Sequence, residues 1–194
     1  MMQRLAIWIV GMLEKKGALR SGVSRETYIY GFDIAIYTFL STFGLFLIGW
    51  IAGRPLETAL LIFLYYTNQS SGGGFHASSH LMCFLTMVLG ELLFLISFLL
   101  PYSLFACSGI SVISLLFMWM HPLVLHTNKS YLKKKAQQLI KHSRQILLVE
   151  IVLLIVFILL NVPAIIQTIS LTLLLSAISR SVPILKHTGI VDFS

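Results

Sequence analysis

The chain has 194 residues, of which 57% are hydrophobic and only 11% charged, with a formal net charge of +7. An ordinary soluble domain carries roughly a quarter charged residues, so the composition argues against a soluble globule and for an integral membrane protein. The positive charge does not indicate nucleic acid, because the basic residues sit between apolar runs without the interleaved aromatics of a binding groove.

Residues 2–16 place Leu5, Trp8, Ile9, Met12 and Leu13 on one side at helical spacing, with Arg4, Lys15 and Lys16 available to lipid headgroups. This predicts an amphipathic helix lying on the membrane within residues 1–20. No small-residue cleavage site follows its apolar stretch, so it does not read as a signal peptide. A first full span is expected over 28–52, ended by Gly53, Arg54 and Pro55. Residues 56–67 form a shorter apolar stretch, either a tilted span or a re-entrant segment. Next comes a polar island, SSGGGFHASSHLMC, over 70–83. Apolar character resumes over 81–100, breaks at Pro101, Tyr102 and Ser103, and returns over 104–120. Residues 121–144 are the longest polar segment and are expected to form a basic cytoplasmic loop. The last two spans, over 145–160 and 164–179, are separated by Asn161, Val162 and Pro163. The expected architecture is an all-α membrane protein. It is a single domain over 1–194 with about six transmembrane helices, some short, after an N-terminal interfacial helix.

The distribution of basic residues orients these spans, since lysine and arginine near span ends favour the cytoplasm. With the amino terminus inside, Arg54 is the one basic residue on the outer face. Arg4, Lys15, Lys16, Arg20, Arg25, Lys129, Lys133, Lys134, Lys135, Lys141, Arg144, Arg180 and Lys186 all fall inside. Both chain ends and the island at 70–80 are then cytoplasmic.

The island carries the chemistry. His76 and Cys83 are candidates for a base and a nucleophile, because an imidazole can take the proton of a thiol and the thiolate attacks amides. Gly72, Gly73 and Gly74 let backbone N–H groups approach a substrate, and the next helix start offers N–H donors for an oxyanion. Seven residues of straight helix rise about 10 Å, too far for a direct hydrogen bond. His76 is therefore expected in the glycine loop, folded back over a helix that starts within 77–80, or else paired with Cys83 across a homodimer. Other readings stay open. His76, His80 and Cys83 stand at i, i+4 and i+7, a spacing that suits zinc, and His121 and His126 could converge with them. The cysteine could simply pack, with the glycines a hinge in a membrane transporter or scaffold.

Several further residues are candidates for supporting roles. Gln69 and Ser70 could orient groups or bind an oxyanion, and His80 could tune the thiol. Glu91 follows Cys83 by about two turns, and Asp33 and Glu150 are further carboxylates within spans, where a bare charge is costly. Lys129, Lys133, Lys134 and Lys135, with Lys141 and Arg144, could attract an acidic partner or anionic lipid. Cys107, in FACSGIS, reads as packing.

The stretch GGGFHASSHLMC, with a cysteine seven positions after its histidine, resembles the accessory gene regulator B (AgrB) family of membrane endopeptidases. So does HPLVLHTNKSYLKKKAQQLIKHSR, where a proline after a span leads into a basic segment. The chain departs from the family in reading YYTNQSS before the glycines, where a basic residue is common, and His126 where an acidic one is common. The resemblance implies a bacterial cell-membrane cysteine peptidase, a homodimer, whose partner is an AgrD-like pro-peptide of quorum sensing. His76 and Cys83 match the family dyad. Cys83 would cleave off the acidic tail and hold the peptide as a thioester, which an internal nucleophile closes into a thiolactone or lactone autoinducing peptide. The resemblance implies no metal and no organic cofactor.

Overall fold

The computed structural model describes residues 2–20, 22–75, 79–124 and 133–187. Among these the chain is all-helical, in the order α1 (Met2–Lys15), α2 (Arg25–Ile51), α3 (Pro55–Gly72), α4 (His80–Ser97), α5 (Leu104–Met120), α6 (Lys133–Leu159) and α7 (Pro163–His187). It divides into two compact units, Met1–Ile48 and Gly49–Ser194.

In the first unit, α1 buries Ala6 and Val10 while Leu5, Trp8 and Met12 stand exposed along one side. The turn into α2 is tied by an ion pair from Arg25 to Glu14 at 3.2 Å and by the Arg20 N–H donating to the Tyr28 hydroxyl at 3.0 Å. Ser24 accepts from the N–H of Thr27, which satisfies one of the donors that a helix start leaves free. Along α2, Tyr30, Phe39, Phe43 and Leu47 are exposed.

In the second unit α7 is the common partner, packing against α3, α4, α5 and α6. Its Ile166, Ile169, Leu173 and Ala177 join Leu64, Cys107, Met118, Leu147 and Leu154 in one core. The same helix buries Thr168, Ser170, Thr172, Ser176, Ser179 and Arg180. Meanwhile Leu99, Phe105, Ile113, Met120 and Leu159 are largely exposed. Polar groups inside and large apolar side chains outside is the distribution a lipid solvent requires, because small polar residues let helices approach and hydrogen-bond across their contacts. Ser111 and Ser170 illustrate it, bonding α5 to α7 at 2.9 Å. Three helices are long and apolar enough to cross a membrane, Arg25–Ile51, Lys134–Leu159 and Pro163–Leu185, and α4 and α5 are shorter apolar helices.

Three helices extend well beyond the apolar stretches expected for them, and one of them, α7, runs on past 179 to His187. α3 continues through the polar residues to Gly72. There Thr67, Ser70 and Ser71 turn their hydroxyls back onto carbonyls of their own helix, so the polar stretch needs no loop. α6 starts at Lys133, which corrects the expectation of a loop across 121–144 over its second half. Lysine, alanine and glutamine are good helix formers, and charge alone does not end a helix.

Candidate active site

The described residues of the polar island are the end of α3, a non-helical glycine segment over 73–75, termed the glycine strand, and the N-cap and first turn of α4. Tyr65, Gln69 and Gly72 share one face of α3 at i, i+4 and i+7. α3 stops at Gly73, whose φ of 71° and ψ of −172° belong to a backbone region essentially reserved for glycine. A Cβ on Gly73 would press into the carbonyl oxygen of Val124, and one on Gly74 would overlap the Gln69 amide and the Ser179 hydroxyl. One on Gly72 would fall on the Arg180 guanidinium.

Gly73 and Gly74 have no side chains to anchor them, and the segment is held by its backbone. The Gly73 N–H donates to Gln69 O at 3.1 Å, and Gly72 O accepts from the Val124 N–H at 2.8 Å. The Phe75 N–H donates to Ser179 O at 2.8 Å and lies 3.1 Å from Ser179 Oγ. Gln69 Nε2 also donates to Ser179 Oγ. Tyr65, one turn before Gln69 on α3, has its hydroxyl beside Ser179 and Gln69. One serine on α7 thus gathers the end of α3 and the glycine segment.

α4 begins at His80, inside the range expected from the spacing argument. Ser79 is its N-cap and accepts from the Met82 N–H. Cys83 falls in the first turn, its N–H donating to Ser79 O at 3.0 Å, and its thiol is free and partly exposed. His76 lies outside the described residues, as do His126 and Lys129 and the side chains of His80 and Lys133. Among the described residues no three His, Cys, Asp or Glu side chains converge in a metal-binding group.

The remaining candidates separate. Ser70 is exposed and bonds Thr67 O on its own helix, so it does not join Gln69 at Ser179. Glu91 is 2% exposed and accepts from Thr58 Oγ1 at 2.8 Å. Lys134 and Lys135 stand exposed in the first turn of α6, and Arg144 lies over the Trp119 ring. His121 caps α5 and packs its ring near Phe117. Cys107 is a buried free thiol in the core.

Arg180, counted in the sequence as one more flanking cation, is 1% exposed. Its Nη2 donates to Asn68 O at 3.2 Å, and its Nη1 lies 3.4 Å from both His121 O and Ser143 Oγ. It forms no ion pair among the described residues. Its acceptors lie near the carboxyl-terminal ends of α3 and α5, whose partial negative charge suits a cation. Asn68, likewise buried, donates to Glu150 Oε1 at 2.6 Å. Tyr65, Ser179 and Arg180 were not singled out from sequence, since serines and flanking cations are common in membrane helices.

The described residues define an all-helical, membrane-type protein with a free, partly exposed thiol in the first turn of α4 and a glycine segment held against α7. The chain belongs to the AgrB family, accessory gene regulator B, which matches residues 6–180. The family is one of peptidases that process the AgrD pro-peptide. No match was found among curated proteins or among solved structures.

Proposed function

We propose that this protein is a membrane cysteine endopeptidase that cleaves the carboxy-terminal tail from a small pro-peptide through Cys83. The observation that carries the reading is the free, partly exposed thiol in the first turn of α4. His76 takes the Cys83 proton, and the sulfur attacks the carbonyl at the end of the future signal. The tetrahedral oxyanion is received by backbone N–H groups at Gly74 and at the start of α4. Collapse breaks the C–N bond, His76 returns the proton to the departing amine, and a Cys83 thioester remains. An internal cysteine or serine of the peptide then displaces Cys83, its proton passing back to His76, and closes a thiolactone or lactone. The thioester keeps the acyl group reactive, so an intramolecular nucleophile competes with water.

Six spans with both ends cytoplasmic put Lys134, Lys135 and Lys141 on the face where an acidic peptide tail arrives. In that orientation Arg54 is the one basic residue on the far side. Its pairing with Glu57 at 3.0 Å and its contact with the Phe98 ring support its position there. The exposed Leu5, Trp8 and Met12 stripe of α1 suits a helix lying in the headgroup layer.

The test is cleavage of a co-reconstituted pro-peptide by folded, inserted Cys83→Ala protein. Loss of cleavage, together with inhibition of the wild type by thiol alkylation and none by chelators, is expected. Wild-type cleavage by Cys83→Ala would overturn the assignment, and chelator inhibition with alkylation resistance would point to zinc instead.

A further inference from the structure

α7 runs from Pro163 to His187 with Pro183 inside it. In a regular helix each carbonyl accepts from the N–H four residues on, so a proline at 183 leaves the carbonyl of Ser179 without its helical donor. That is the carbonyl to which the Phe75 N–H donates at 2.8 Å. One turn's vacancy on α7 is filled by the strand that precedes His76. In a site with little water, an N–H and a carbonyl left over from two different elements have few other partners. The neighbouring residue adds a second hold, because the Arg180 guanidinium lies against Gly72 and donates to Asn68 O.

We propose that Pro183, Ser179 and Arg180 form a dock on α7 that positions the glycine strand for the reaction at Cys83, the proline by freeing the carbonyl and the arginine by bracing the strand's origin. The inference rests on the peptidase reading above. These are positioning residues. Phe75, whose N–H α7 holds, is adjacent in sequence to His76. An apolar helix that needed only to pack would gain nothing from a proline or a buried guanidinium at this level.

Pro183→Ala separates positioning from structure, because the two roles predict opposite signs. Alanine restores an N–H at 183 that competes with Phe75 for Ser179 O while favouring the helix. The expected result is a melting temperature equal to or above the wild type and a kcat for pro-peptide cleavage lowered about tenfold to a hundredfold, the scale of a small misplacement of reacting groups. The KM should stay within about threefold, and small-maleimide labelling of Cys83, which reads the thiol without the strand, should keep its wild-type rate. Arg180→Lys should retain more turnover than Arg180→Gln, since lysine keeps a charge and donors but loses the fork. Wild-type kcat in folded Pro183→Ala, or a kcat that falls only in step with the folded fraction, overturns the dock. Equal wild-type turnover in both Arg180 variants removes arginine from it. Cys83→Ala run alongside distinguishes the two levels. If it still cleaves, the peptidase reading fails and the dock with it. If it is dead while Pro183→Ala is fully active, only the dock fails.

Discussion

Glu91 and Glu150 are both almost wholly buried carboxylates in the same unit, 2% and 1% exposed. Glu91 lies on the helix that carries Cys83, yet its hydrogen-bond partner is the hydroxyl of Thr58 on α3. Glu150 lies on α6, far from Cys83 in sequence, and accepts from Asn68, whose own carbonyl receives Arg180. Through Arg180 this chain of contacts reaches Gly72 and the glycine strand. The first carboxylate fastens two helices together, and the second belongs to the scaffold of the site. Glu91 therefore shares only a helix with Cys83, whereas Glu150 shares a hydrogen-bonded network with the residues behind the glycine segment.

The largest test of this contrast is at the strand itself. Gly74→Ala puts a methyl group onto the Gln69 amide and the Ser179 hydroxyl. It should lower kcat about a hundredfold with Cys83 still open to alkylation, by the misplacement argument. Asn68→Ala comes next. It removes the donor to Glu150 and leaves a buried carboxylate without that partner, which costs about 2–3 kcal/mol in detergent unfolding. It should also lower turnover, because the network behind the strand loosens. Glu91→Gln keeps an oxygen for Thr58 to donate to, so it should cost under ~1 kcal/mol and leave kcat within about twofold. If Glu91→Gln impairs turnover as strongly as Asn68→Ala, the contrast between the two regions breaks. The smallest effect is electrostatic. Lys134→Gln with Lys135→Gln should raise KM for an acidic-tailed peptide about threefold at low salt, and less at 0.15 M, where the screening length is about 8 Å.

Much of the helical architecture was legible before any coordinates. The apolar run over 104–120 coincides with α5, and the helix expected to start within 77–80 begins at His80. The polar tail of α3 and the lysine-rich start of α6 were harder. There, serine hydroxyls folding back onto the helix and good intrinsic helix formers carried regular structure past the end of the apolar pattern. The site was legible in its parts but not in its assembly. The glycines announced a close approach, though not by which atoms, since Ser179 and Val124 are distant in sequence. Pro183 was the signal that could have named Ser179, because a proline inside a helix specifies the carbonyl it leaves free.

The central claim is that Cys83 becomes acylated by the peptide, and intact-mass analysis of rapidly quenched protein tests it most directly. Wild-type protein given a pro-peptide whose internal nucleophile has been replaced by alanine should carry the peptide minus its tail on Cys83, in an adduct that hydroxylamine removes. Release of the tail without any such adduct in the wild type, accompanied by undiminished release from Cys83→Ala, would contradict it.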